Sequence, residues 1–128
     1  IDKMSNFNFD VSGKTKVKTA SGLEYVMGEE GTGPKADTGK TIQLHYTARF
    51  ENDSIFDSSL ERGLPIKFSL GGGQMIPGFE EGIKLFKKGD KARLFIPFLL
   101  GYGEAGVPRA GIPPKSNLIF DVELVNVE

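Results

Sequence analysis

The 128-residue sequence has no cysteine, and that absence removes disulfide staples, thiolate nucleophiles and cysteine-based zinc sites together. A cysteine-free chain is at home in reducing and oxidising surroundings alike, so the compartment stays open. Histidine is nearly as scarce: His45 stands alone, which excludes metal clusters of the usual nitrogen and sulfur type and leaves a serine hydrolase one candidate base. By alternation His45 lies on the outward side of its strand and reads as a strand-surface residue. Lys and Arg number 16 against 17 Asp and Glu with no dense basic run, so the footprint of a nucleic-acid or anionic-membrane binder is missing. No apolar run reaches membrane length, and neither a signal-peptide pattern nor an internal repeat is present. The chain starts at Ile1 rather than Met, which points to a processed or excised form. Acidic residues lack the spacing of a calcium loop. The glycines at 71–73 are not followed by Gly-Lys-Ser/Thr, so they read as a flexible turn rather than a phosphate cradle. No metal and no cofactor is expected.

What is present is turn-rich and strand-rich, with 17 glycines and seven prolines in a length that suits one domain and one core. Residues 1–20 are polar and lysine-containing and read as an N-terminal extension or linker, with a short alternation at Phe7, Phe9 and Val11 that could form an edge strand. Alternating apolar residues then mark five strands. Leu23, Tyr25 and Met27 define the first. The clearest is Thr41 to Phe50, with Ile42, Leu44, Tyr46, Ala48 and Phe50 on one face and Gln43, His45, Thr47 and Arg49 on the other. Ile66, Phe68 and Leu70 make a third, Ala92 to Phe98 a fourth, and Leu118 to Val127 a fifth. Phe56 to Ser59 reads as irregular, with Asp and Ser bonding nearby backbone.

One stretch has helical periodicity. Ile76, Phe79, Ile83 and Phe86 recur at spacings of three, four and three and share a face. Pro77 suits the first helical position, Glu80 and Glu81 complement the N-terminal dipole, and Gly89 is placed to end the helix. Five strands and one helix predict an α+β domain in which a sheet curls around that helix. The connection over residues 98–117 is long, rich in glycine and proline, yet apolar enough to be a functional loop rather than a disordered one.

The remaining chemistry-bearing set is Tyr46, Phe56, Asp57, Met75, Ile76, Phe79, Tyr102 and Phe120. Most would be core by composition alone. Asp57 is the exception: an acid directly after Phe56 must face water or be bonded by a neighbour such as Arg62 or a tyrosine hydroxyl.

Seven segments in order give these residues a family likeness: Thr19 to Tyr25, His45-Tyr46-Thr47, Phe56-Asp57-Ser58-Ser59, Ile76 to Gly82, Tyr102-Gly103, Ile112-Pro113-Pro114 and Leu118 to Leu124. From about Ser21 to Glu128 the chain resembles the FKBP-type peptidyl-prolyl cis-trans isomerases. The resemblance implies a five-to-six-stranded antiparallel half-barrel wrapped on one short helix, with the isomerase domain over 21–128. The implied activity is rotation about Xaa-Pro bonds in client proteins, with a low-activity chaperone or binding module of the same fold as the alternative.

By the same resemblance Phe79 is the floor of a proline cleft, with Tyr46, Phe56, Met75, Ile76 and Phe120 as walls. Tyr102 hydroxyl and the Ile76 N–H hold substrate carbonyls. Asp57 is the cleft carboxylate, tethered by Arg62 and Tyr46, and Ile112 sits in the flap above. The catalytic set so implied is Tyr46, Asp57, Ile76, Tyr102 and Phe120, and the substrate-binding set is Phe56, Arg62, Met75, Phe79 and Ile112. Proline-containing polypeptides are the implied partners, together with macrolides of the FK506 and rapamycin type; no nucleic acid and no membrane-spanning segment is expected. The Ser-Gly-Leu-Glu-Tyr opening is similar to the bacterial envelope branch, although the cytoplasm stays open. The sequence departs from the family at Phe79, where many members have tryptophan, at Ile66, where an aromatic is common, and in a flap about one residue longer than in short members.

Overall fold

The structure, a computed structural model, describes residues 14–52, 54–73 and 75–128. The alternation at Phe7, Phe9 and Val11 lies outside the described residues. Seven strands form one antiparallel sheet: β1 (Val17–Lys18), β2 (Glu24–Glu29), β3 (Thr41–Phe50), β4 (Ile55–Ser58), β5 (Ile66–Ser69), β6 (Lys91–Ile96) and β7 (Leu118–Val127). Among the described residues two short α-helices interrupt them, α1 (Ser59–Arg62) and α2 (Pro77–Ile83). The order is β1-β2-β6-β7-β3-β4, with β5 also on β3. β3 is therefore the organiser. One edge pairs with β7 along the whole strand, while the other is divided, β5 taking Thr41 to Leu44 and β4 taking Thr47 to Arg49. The chain must lift off the sheet between β4 and β5, and α1 is that crossing.

Alternation along β3 sends Ile42, Leu44, Tyr46 and Ala48 into a core shared with Leu94, Ile96, Phe120, Val122 and the α2 residues Phe79 and Ile83. Each large side chain so buried contributes roughly 1.5–3 kcal/mol. α2 can lie close to β6 because its inner face carries glycine one turn apart. A Cβ on Gly78 would stand 2.6 Å from Ile96 Cγ2, and one on Gly82 would stand 2.6 Å from Leu94 Cδ2.

Four elements differ from the sequence reading. Phe56 to Ser59 is regular: Ile55–Ser58 pairs with β3, and the buried Ser59 Oγ accepts the Tyr46 N–H at 2.8 Å, replacing a ladder bond with a side-chain one. α2 ends at Ile83, not near Gly89. Residues beyond it are captured by the 33–36 segment, through Ala36 N–H to Phe86 O at 3.0 Å and Lys88 N–H to Pro34 O at 2.9 Å, and tertiary pairing overrides helix propensity there. The fourth predicted strand stops at Ile96 rather than Phe98, because Pro97 has no N–H to give a ladder; the Phe98 N–H goes instead to Asn117 Oδ1 at 2.9 Å. Finally, the sheet begins inside the polar leader. Val17 and Lys18 pair with Tyr25 and Glu24, and Thr19 and Ser21 hydroxyls donate to Glu81 on α2 at 2.7 and 2.6 Å.

The outer face of the sheet is polar but not all of it is wet. Asp121 is buried between Arg49 Nη2 and Arg93 Nε, each at 2.6 Å. Alternation places these residues outward, and only the register of β6, β7 and β3 shows that they meet.

Candidate active site

Phe79 sits at the centre of three other rings. Phe120 lies 5.2 Å from it by ring centroids, Phe68 6.0 Å and Tyr46 6.3 Å, the last nearly perpendicular at 75°. Such offset and edge-on pairs suit the aromatic quadrupole. At 2% exposure Phe79 is core, yet it also lines a cleft of about 330 Å³ that opens above it. The other walls are Tyr46, Phe56, Asp57, Ile66, Met75, Ile76, Tyr102 and Phe120.

Each wall is placed by a local reason. Tyr46 and Phe120 come from facing β3 and β7, where Ala48 opposes Phe120 and Tyr46 opposes Val122. Asp57 and Phe56 stand on β4, just before the chain leaves the sheet. Met75 and Ile76 lead into α2, and their loop is organised by Glu80. That carboxylate is buried and accepts the Gly71 N–H at 2.7 Å and the Met75 N–H at 3.3 Å. The glycine turn at 71–73 thus cradles an anion belonging to the protein itself.

The polar part of the cleft is a triangle. Tyr46 hydroxyl donates to Asp57 Oδ2 at 2.5 Å, Arg62 Nη1 donates to Asp57 Oδ1 at 3.0 Å, and Arg62 Nη2 donates to the Tyr46 oxygen at 3.0 Å. α1 supplies the arginine, five residues beyond the aspartate. Burial, then the hydrogen bond to the Asp57 carboxylate, pushes the Tyr46 phenol up to about 12, with Arg62 pulling the other way. Tyr102 is raised too, first by burial and then by the charge of Asp57, so the field of that carboxylate reaches across the cleft. Two donors are left over: neither the Tyr102 hydroxyl nor the Ile76 N–H meets an acceptor among the described residues.

Of the ten residues singled out in the sequence, eight line the cleft. Arg62 does not, and acts through its bonds to Asp57 and Tyr46. Ile112 does not either; it is buried in the long loop, bridged to Val107 by paired backbone bonds of 2.9 and 3.1 Å. The sequence reading did not place Ile66 in the site, though its position at the start of β5 brings it to the cleft. His45 is less superficial than alternation suggests. It is half-buried, and its Nδ1 lies 2.9 Å from Ser59 Oγ, the hydroxyl that anchors α1.

Comparison with known proteins agrees with this geometry. Residues 33–125 match the family model described as FKBP-type peptidyl-prolyl cis-trans isomerase. A probable FKBP-type peptidyl-prolyl cis-trans isomerase of Haemophilus influenzae is 46% identical over 115 residues, covering 90% of this chain and 46% of that protein. An FK506-binding protein of Neisseria meningitidis is 48% identical, covering 77% of this chain and 90% of its own. The crystal structure of FkpA from Escherichia coli superposes with a TM-score of 0.83 at 42% identity, covering 92% of this chain and 54% of that one. The chain thus spans under half the length of the Haemophilus relative and about half of the FkpA chain. A family model that spans most of the sequence, together with a likeness covering nine-tenths of the Neisseria protein, places the chain in the FKBP-type peptidyl-prolyl cis-trans isomerase family.

Proposed function

We propose that this chain is a peptidyl-prolyl cis-trans isomerase acting on Xaa-Pro bonds of polypeptide clients. The observation that carries the reading is an apolar cleft floored by the buried Phe79, with two unused donors, Tyr102 hydroxyl and Ile76 N–H, among its walls. Rotation about a peptide bond crosses a barrier of about 18–20 kcal/mol because the planar amide is resonance-stabilised. For Xaa-Pro the uncatalysed exchange takes tens to hundreds of seconds. Nothing need be protonated or attacked. A pocket that grips the proline ring on Phe79, excludes water, and fixes the flanking carbonyls with two donors leaves the twisted amide as the better-bound form. Every ~1.4 kcal/mol of that preference is a tenfold gain. Asp57 places negative charge near the rotating bond, held in orientation by Tyr46 and Arg62.

The cleft also suits macrolides of the FK506 and rapamycin type, since they present a proline-like ring and flanking carbonyls; the smaller Phe79 floor, in place of indole, sets their affinity. The envelope of a bacterial cell is the proposed location, on the likeness of the Ser21 to Tyr25 opening. The deciding experiment is cis-trans exchange of a short Leu-Pro peptide followed by NMR at catalytic protein concentration. Acceleration well above the uncatalysed rate is expected. With none, the enzyme reading falls and a binding module of the same fold remains.

A further inference from the structure

A second cavity, of about 300 Å³, has Phe50, Glu51, Asn52, Pro113 and Lys115 among its walls. Two contacts set it beside the proline cleft, although the two share no wall residue. Phe56, a wall of the cleft, is stacked on Phe50, a wall of the second cavity, with centroids 4.4 Å apart and planes 20° from parallel. On the other side, the Lys115 N–H donates to the Gly103 carbonyl at 3.3 Å, so the lysine hangs on the turn that carries Tyr102. Its charges are unequally engaged. Glu51 Oε1 accepts from the Asn117 amide at 3.3 Å, whereas the Lys115 ammonium makes no hydrogen bond or ion pair among the described residues. Lys115 is also the one non-glycine with positive φ among them, at 55°, a conformation that costs a lysine free energy a glycine would not lose.

We infer that this cavity is a client subsite, which receives a side chain two to four residues from the isomerised proline, and that Lys115 favours Asp or Glu there. The inference rests on the isomerase reading above. The span follows from chain geometry: the stacked Phe50–Phe56 pair, 4.4 Å between centroids, stands between the two cavities, and crossing it from the proline takes two to four extended residues at about 3.3–3.6 Å each. The acidic preference follows from charge. The stem of Glu crosses the Phe50 and Pro113 rings, and its carboxylate meets an ammonium that has no other partner among the described residues. In so open a place the pair is worth about a two- to fivefold preference and is screened by salt.

The test is a glutamate walk. A single Glu, with Gln as its control, is moved through an alanine peptide on either side of a fixed Leu-Pro, and kcat/KM is measured by NMR exchange. A two- to fivefold preference for Glu over Gln is expected at one or two adjacent positions on one side of the proline, vanishing in about 0.5 M salt. Lys115→Gln should abolish it without changing the rate on the Glu-free parent. A flat walk, or a preference that survives Lys115→Gln, overturns the subsite. Failure to accelerate even the parent peptide is a different result and defeats the isomerase reading. In that event the same peptides decide the subsite by affinity: Lys115-dependent Glu preference with shifts of the Phe50 and Asn52 amides supports it, and its absence overturns it.

Discussion

Replacing Asp57 by asparagine separates two tasks that the carboxylate performs at once. The side chain keeps its shape, so Tyr46 can still donate to an oxygen in the same place, but the charge is gone. On the stability side the cost is small. The Asp57–Arg62 pair is half exposed, 44% and 50% by side chain, so it is worth about 0.2–1 kcal/mol. The 2.5 Å bond from Tyr46 changes from charge-assisted to neutral, a loss of about 1 kcal/mol. Together they predict a domain about 1–2 kcal/mol weaker, with a melting point lower by roughly 3–8 °C. On the catalytic side, if the field of the carboxylate acts on the rotating amide, kcat/KM for a Leu-Pro peptide falls at least tenfold, about 1.4 kcal/mol of barrier.

An internal check accompanies the rate. Asp57 is the second cause, after burial, of the raised Tyr46 phenol, and likewise of the raised Tyr102. In Asp57→Asn the Tyr46 titration, followed by ultraviolet absorbance, should fall from about 12 yet stay above an ordinary tyrosine, because burial persists. A kcat/KM retained within twofold, while both phenols move as expected, would refute the argument: Asp57 would then be a strut for Tyr46 and nothing more.

Tyr102→Phe should lower kcat/KM severalfold with a melting point within about 1 °C of wild type, since its hydroxyl bonds nothing in the described protein and such deletions cost little stability; equal losses of rate and stability would make it a packing residue. Glu80→Ala strands the Gly71 and Met75 N–H groups, which costs about 1–3 kcal/mol. Peptide titration should show KM rising more than kcat falls as the Met75–Ile76 wall loosens. Asp121→Ala leaves Arg49 and Arg93 without their shared anion, and chemical denaturation should report a loss of about 3–5 kcal/mol with kcat/KM unchanged in the fraction that remains folded. The Tyr46 phenol is raised in the folded state, so its contribution is complete below pH 10 and disappears as pH passes from 10 to about 12. Melting points measured over that window should fall by an amount that Tyr46→Phe removes, with an upper bound of roughly 2.7 kcal/mol.

What periodicity alone could reach is visible in β3. Its strict alternation put Tyr46 inward and His45 and Arg49 outward, and the fold keeps that order. The resemblance brings Asp57, Arg62 and Tyr46 together, and in the structure hydrogen bonds join all three. What escaped depends on register and on loops, which carry no period. Arg49, Asp121 and Arg93 look like three separate surface charges until β6, β7 and β3 are aligned. Glu80 looks like a solvent-side dipole partner, and only the return of the glycine turn reveals it as the cap of that loop. Ile66 reads as an ordinary strand residue because nothing local says that β4 and β5 share one edge of β3. Ile112 is paired with Val107 inside its own loop and is not among the walls of the cleft, a pairing that no period in the sequence announces.

The helix at 77–83 explains why cleft and core are so hard to separate in this fold. An enzyme that must form or break bonds needs polar groups held apart from the core. One that only favours a twisted amide needs a dry, rigid surface, and the inner end of a core helix already is one. Phe79 therefore serves both: it is 2% exposed, touches Phe68, Tyr46 and Phe120, and still floors the cleft. Truncating it removes core packing worth about 3–5 kcal/mol along with the proline's seat, so no truncation at that position can assign its catalytic share. The residues that can are those whose stability cost is small, Tyr102 with a hydroxyl that bonds nothing among the described residues and Asp57 with its half-exposed ion pair. They stand on the rim, where the demands of the core have already been met by others.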